Sequence, residues 1–313
     1  MTSRKLLFTS CVILLILSTT AVSTHAQRRR ACCVDNQIYY RGGPVLTGVV
    51  NVYYIWYGTW NGSGAHGSNR VSDSVATQNL LTNLVSGLSG SPYENINTTY
   101  FAGTDDVSGF LSMAPTIIDS SYSHGVYLSE QDVHDIVAAH IGTDLARDPN
   151  GVYIVLTSSD IGATVTAAGQ TLGTCGQTAN GGSVTAMCGW HGSSNYFNLG
   201  GDDLKFGWVG NPDRCPSFCE APANQINSPN NNTGGDGMAN HVAHELEEAI
   251  SDPDHTTWYD NHGLENADKC AWQFGSTMLL SNGAIANILL NGTYYLIQEN
   301  WVNANGGSCA MNL

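Results

Sequence analysis

The chain has 313 residues, 42% of them hydrophobic and only 12% charged, with 35 glycines and a formal net charge of −15. That length buries one sizeable core without help from a metal or an oligomer, and the apolar residues running through it exclude intrinsic disorder. Beyond Val71 the only cations are Arg147, Lys205, Arg214 and Lys269, so no basic stripe exists to neutralise phosphates, and nucleic-acid binding is excluded.

The first predicted element is a targeting segment. Arg4 and Lys5 precede an apolar run from Leu6 to Leu17, and Thr24-His25-Ala26 reads as a small-x-small cleavage site, giving a signal peptide over residues 1–26. The run is shorter than the roughly 20 residues of a membrane span. A secreted, extracellular protein with no membrane span after cleavage is expected. Residues 27–36, with Arg28-Arg29-Arg30, read as an exposed tail, and the folded domain as 37–313. Val49 to Gly58 is β-branched and aromatic and reads as a buried strand. Ser72 to Leu88 has helical spacing, and Ser129 caps a second helix with Asp132 three residues on. Gly151 to Thr157 and Leu204 to Gly210 read as further strands, Ser159 to Tyr196 as a Gly- and Thr-rich loop, and Asn211 to Asp236 as irregular. Met238 to Ser251 is the third helix, stopped by Pro253. Short strands with Asn-Gly turns at Asn282-Gly283 and Asn291-Gly292 finish the chain. Strand–helix alternation without a linker implies an α/β fold, a single mixed-sheet layered domain with long disulfide-stapled loops.

Cysteine usage agrees with export. Of nine cysteines, Cys11 lies in the signal peptide, leaving Cys32, Cys33, Cys175, Cys188, Cys215, Cys219, Cys270 and Cys309. An even number in an oxidising compartment implies up to four disulfides, and close spacing suggests Cys215–Cys219 and Cys175–Cys188 as first pairings. The sequons at Asn61, Asn97, Asn231 and Asn291 are compatible with glycosylation.

The chemistry concentrates in Asn240 to Pro253. At 3.6 residues per turn Val242, Leu246, Ala249 and Ile250 share one face, while His241, His244, Glu245 and Glu248 share the opposite one. His244-Glu245-x-x-Glu248 varies the His-Glu-x-x-His template in which two ligands hold zinc and the glutamate between them is the general base. A carboxylate is an acceptable zinc ligand, and catalytic zinc takes a third from elsewhere in the protein. Glu265 and Asp268 are the candidates for that place, with His241, His262 and Asp252 as additional ones, and Glu245 is the candidate catalytic base. A zincin-like arrangement around the 238–251 helix follows. A solvated amphipathic helix shows the same charged face, and the oxygen-rich segment makes calcium the alternative to zinc. Cys188-Gly189-Trp190-His191 offers a thiol–imidazole pair, but Cys188 is better assigned to a disulfide. The run Tyr53, Tyr54, Trp56, Tyr57 and Trp60 reads as core, with sugar stacking as the other use of such rings.

Several blocks resemble the Exordium, or phosphate-induced protein, family. They are Tyr40 to Gly48 leading into Val52 to Tyr57, Val152 to Asp160, Cys188 to Ser193, Trp208 to Cys219, Gly234 to Met238, and Asp252-Pro253. The resemblance spans most of the mature chain. It implies an extracellular protein associated with the cell wall or matrix and linked in plants to growth. The His-Glu-x-x-Glu helix with its Asp-Pro turn looks more like a microbial-type branch with a metallohydrolase core. Two functions are therefore expected. One is a secreted zinc-dependent hydrolase or peptidase acting on a peptide or a matrix polymer. The alternative is a non-enzymatic wall or signalling protein with a calcium-binding acidic segment.

Overall fold

Gly48–Tyr57 (β1) is the central strand, and its alternation explains the layers around it. Val50, Val52, Tyr54 and Trp56 point into one apolar cluster, and Tyr53, Ile55 and Tyr57 into another. A strand buried on both faces needs helices on both sides. The structure, a computed structural model, describes residues 37–62, 72–167 and 169–313. The expected signal peptide, the tail, Cys32 and Cys33 lie outside them.

Around β1 a seven-stranded mixed sheet is built from Phe101–Ala102 (β2), Asp105–Met113 (β3), Ile117–Asp119 (β4), Gly151–Thr157 (β5), Gly189–Ser193 (β6) and Lys205–Gly210 (β7). The order is β6-β7-β5-β1-β3-β2, with β4 also paired to β1. All pairings among β7, β5, β1, β3 and β4 are parallel, while β6 runs antiparallel to β7 at one edge and β2 antiparallel to β3 at the other. Helices Val75–Leu88 (α1) and Thr233–Ser251 (α3) cover one face through Leu81, Leu84, Val242 and Leu246. Glu130–His140 (α2) covers the other through Val133, Ile136 and Val137. The expected α/β layered fold is what forms. Ser129 closes a full capping box with Asp132 at the start of α2.

The aromatic run is core. Tyr53, Tyr54, Trp56, Tyr57 and Trp60 are all buried, which leaves no ring of this strand free to stack on a sugar. The segment expected as loop, Ser159 to Tyr196, is instead largely strands. Gly162–Ala167, Gln170–Thr174 and Thr185–Met187 join Tyr127–Leu128 in a second, four-stranded sheet, and β6 follows. Its glycines and threonines carry no long apolar run, so the strand signal is weak there.

The first-guess cysteine pairings are replaced by crossed ones. Cys175 bonds Cys215, Cys188 bonds Cys219, and a third bridge joins Cys270 to Cys309. Strands 170–174 and 185–187 are parallel with Thr174 opposite Met187, so Cys175 and Cys188 emerge side by side. Cys215 caps the start of the single helical turn Pro216–Cys219, and Cys219 is its last residue. Two neighbouring strand ends are thus riveted to the two ends of that turn. Near the C-terminus, Asn282-Gly283 and Asn291-Gly292 lie in hairpin turns as expected. Asn291 (φ 47°) and Gly292 (φ 78°) both take the left-handed conformation that a two-residue hairpin requires.

α3 departs from its expected form in two ways. It begins at Thr233, five residues earlier than its periodicity suggests, because Asn232 caps the backbone N–H of Gly235. Its glycines permit close packing. A Cβ on Gly234 would lie 2.4 Å from Ser72 Oγ and one on Gly237 2.9 Å from Pro212 Cγ. The second departure is burial. The face opposite Val242 and Leu246 does not meet solvent: His241, Glu245 and Glu248 are all less than a tenth exposed, and so is Glu247 on a third side. Glu247 faces Glu94, which is also fully buried, and its Oε2 accepts from Asn300 Nδ2 at 2.7 Å. Among the described residues no helix is long and apolar enough to cross a membrane.

Candidate metal centre

Four pieces of chain converge beside the C-terminal half of α3. The helix contributes His244, Glu245 and Glu248. The edge strand β6 contributes His191, the turn after the helix contributes His255, and the loop before Cys270 contributes Glu265 and Asp268.

The loop is shaped by Asp260. Its Oδ1 accepts from the backbone N–H groups of His262 at 2.7 Å and Leu264 at 2.9 Å, and its Oδ2 meets Lys269 Nζ at 3.3 Å. That turn delivers Glu265 and Asp268 to the helix, where the Asp268 N–H donates to Glu248 Oε1 at 2.9 Å. His244 is oriented from behind. The Gln298 amide touches its Nδ1, and the Gln298 backbone N–H is anchored on Asn240 Oδ1 at 2.8 Å. Nε2 of His244 therefore faces Glu248 Oε1 at 3.2 Å and Asp268 Oδ1 at 3.9 Å. On the other side, His191 Nε2 lies 3.3 Å from Glu265 Oε2 and 3.7 Å from Glu248 Oε2, and His255 Nδ1 lies 3.1 Å from Glu265 Oε2. The arrangement contains two clusters whose ligand atoms all fall within 4.8 Å of one another, His244/Glu245/Glu248 and His191/His255/Glu265.

The electrostatics are those of a crowded acidic site under low solvent exposure. Glu245, Glu248 and Glu265 make no ion pair with lysine or arginine among the described residues. Burial pushes the Glu245 carboxyl well above the ordinary range, reinforced by Glu248, Asp268 and Glu265 against the pull of His244. Burial alone would push the His244 imidazole down, but Glu248, Glu245 and Asp268 hold it well above its usual value. His255 follows the same logic and is pushed up to about 10 by Glu265 against its burial. Glu265 would rise through burial, yet the His255 and His191 rings hold it well below the carboxylate range. The site opens to solvent at one end: the side chains of His244 and Asp268 are 15% and 35% exposed, against 4% for Glu248.

The candidates read from the sequence divide as follows. His244, Glu245, Glu248, Glu265 and Asp268 meet. Asp252 caps the end of α3, with Oδ1 accepting from Thr256 and Thr257 N–H at 2.7 Å each, and lies close enough to Glu265 that burial and that carboxylate raise it to about 6. His241 points elsewhere. Its buried Nε2–H donates to the Cys219 carbonyl at 2.8 Å, its ring packs edge-on to Trp272, and burial lowers it to about 4. It belongs to the packing around the Cys188–Cys219 bridge. His262 is exposed on the Asp260 turn and joins neither cluster. Asn97 is fully buried and its Nδ2 donates to the Glu247 carbonyl, so that sequon is not an accessible glycosylation site. Two site residues were missed as ligands. His191 reads from the sequence only as a partner for Cys188, and His255 lies just beyond the helix signature. The signal that could have found them is a histidine in a short Gly-flanked strand and one next to the Asp-Pro stop.

Comparison with known proteins bears on most of this chain. The phosphate-induced protein 1 conserved region matches residues 38–295. Protein EXORDIUM-like 3 of Arabidopsis thaliana is 26% identical over 295 residues, covering 85% of this chain and 80% of its own length. Protein EXORDIUM of the same plant is 26% identical over 283 residues, covering 84% and 82%. Protein PHOSPHATE-INDUCED 1 of Nicotiana tabacum is 25% identical over 253 residues, covering 75% and 72%. No solved structure matches significantly. With the conserved region matched from residue 38 to residue 295, which takes in the whole seven-stranded sheet and α3, this chain belongs to the phosphate-induced protein 1, or Exordium, family.

Proposed function

We propose that this protein is an exported, metal-dependent hydrolase, with peptide bonds as its substrate class. The observation that carries the reading is the meeting of His244, Glu248 and Asp268 at the solvent-facing end of the site, with Glu245 beside them on the same helix. His244 Nε2 and the carboxylates of Glu248 and Asp268 would supply the three protein ligands of a catalytic zinc, and Gln298 holds the imidazole in place from Nδ1. A dication held by these residues would supply polarisation of a carbonyl and a lowered pKa of bound water, towards about 7.

Glu245 is the proton carrier. Its carboxylate lies within 4.8 Å of the His244 and Glu248 ligand atoms, which places it to take a proton from water and hand it to a leaving amine. Gly189 on β6 makes room for it, since a Cβ there would lie 2.7 Å from Glu245 Oε1. Three disulfides support export, because such bonds persist in oxidising compartments. The calcium-binding, non-enzymatic alternative is less well supported, since calcium takes oxygen ligands and would leave three imidazoles without a role.

The test is elemental analysis of the purified protein together with turnover of a quenched-fluorescence peptide library. Glu245→Gln is expected to keep its metal and lose turnover by at least about a hundredfold. His244→Gln is expected to lose the ion of this centre. Undiminished turnover in Glu245→Gln rejects the role of that residue, and a metal-free wild type rejects the reading.

A further inference from the structure

His191, His255 and Glu265 are not needed as ligands in the centre just described, yet they are built like one. One ring nitrogen of each histidine and a Glu265 carboxylate oxygen lie within 4.8 Å of one another, and Glu265 Oε2 is reached by His191 Nε2 at 3.3 Å and by His255 Nδ1 at 3.1 Å. His255 donates Nε2–H to the His191 carbonyl at 3.1 Å, which leaves the Nδ1 lone pair of a neutral ring aimed at Glu265. A histidine that ligates through one nitrogen while the other donates to a carbonyl is the usual support for a metal ligand. Glu248 stands between the two groups and faces both: Oε1 towards His244 at 3.2 Å, Oε2 towards His191 at 3.7 Å.

Charge makes the cluster unsatisfactory by itself. The His191 and His255 rings are stacked, with centroids 4.4 Å apart and planes 20° from parallel. Two imidazolium charges face to face repel strongly in a buried site. A single imidazolium at His255 pairs with Glu265 alone and leaves the nearby Asp252 without a cation of its own. Glu265 Oε1 and Asp252 Oδ2 are moreover buried without a hydrogen-bond partner. A dication relieves both difficulties, because it takes the rings as neutral ligands and compensates the carboxylates.

We infer that the protein holds two divalent cations side by side, the second bound by His191 Nε2, His255 Nδ1 and Glu265, with Glu248 bridging it to the first. The inference rests on the metal-centre reading of the His244 side. A donor set of two imidazoles and a carboxylate selects zinc, manganese or cobalt over calcium. A second cation there would let one ion hold the attacking water while the other polarises the carbonyl oxygen of the peptide bond, which would extend the role of the site beyond that of a single Lewis acid.

The experiment measures metal per chain in the purified, disulfide-intact protein after equilibration with Zn²⁺ and desalting, and the electron paramagnetic resonance of the same protein loaded with Mn²⁺. Two zinc ions per chain and a spin-coupled manganese signal are expected. His255→Gln should drop the count to one and restore the six-line spectrum of isolated Mn²⁺, and His244→Gln should also leave one. One ion per chain that survives His255→Gln overturns this inference and leaves the single-metal hydrolase standing. One ion lost with His255→Gln but kept in His244→Gln overturns the pair and the assignment of the catalytic centre to His244. No bound metal overturns both. If the variants do not fold, the wild-type count and its manganese spectrum decide the matter alone.

Discussion

Glu94 and Glu247 offer a pH test of the interior that is separate from the metal centre. Both carboxyls are essentially without solvent exposure and face each other across the gap between the turn at 94–99 and α3. Burial pushes Glu94 up from 4.5 to about 8. Burial, and then Glu94 itself, pushes Glu247 well above its usual value. Between those pH limits the folded protein holds a proton on Glu94 that the unfolded chain has released. The contribution is therefore fully present below about 4.5 and lost as pH rises through about 8, with a slope of about 1.4 kcal/mol per pH unit for one proton. Glu94→Gln keeps the shape, keeps a donor towards Glu247 and cannot ionise. Its unfolding free energy relative to wild type should improve by about 4 kcal/mol on going from pH 5 to pH 8, three pH units at that slope. Urea unfolding followed by tryptophan fluorescence at four pH values reads it directly, and contributions common to both proteins cancel in the difference. Parallel pH profiles for the two proteins would refute the shared-proton argument.

Four further outcomes are expected. Leu246→Ala removes a fully buried side chain between α3 and the sheet and should cost about 2–5 kcal/mol in urea unfolding. Ser129→Ala takes away the acceptor for the Asp132 N–H and half of the capping box, costing about 1 kcal/mol by the same measurement. Replacing Cys270 and Cys309 together by serine opens a loop with a sequence separation of 39 and should destabilise by about 2–4 kcal/mol. Chelation of the native protein should lower its melting temperature by on the order of 10 °C, since ligand at about a thousand times its Kd contributes about 4 kcal/mol. An unchanged melting temperature after verified metal removal contradicts that coupling.

What could be read from the residues alone followed the strength of the periodic signal. β1, β5, α1 and α2 were legible because each carries an unbroken apolar pattern with a recognisable stop or cap, Gly58 after β1 and Ser129 before α2. The second sheet was not, because strands such as Gly162–Ala167 and Gln170–Thr174 are held by backbone pairing and disulfides rather than by an apolar run. The early start of α3 was hidden in Gly234-Gly235-Asp236-Gly237, residues that disfavour helix by propensity but fit the tight contacts with Ser72 and Pro212. At the site, the i, i+4 pair His244 and Glu248 was visible because spacing within one helix is a local property. His191 and His255 reach the same point only through sheet order and a turn with a left-handed residue, His255 at φ 52°. Such convergence is a tertiary fact. The disulfide pairing failed for the same reason, since proximity along the chain says nothing of two parallel strand ends lying side by side.

The all-round burial of α3 has a practical corollary for anyone dissecting this family. A helix bearing two histidines and three glutamates invites scanning by alanine as though it were expendable surface, yet nearly every one of its positions is interior. Truncation there would hollow out the molecule and abolish any function indiscriminately. Shape-preserving exchanges, an amide for an acid or glutamine for imidazole, are the substitutions that can tell chemistry from architecture along this rod.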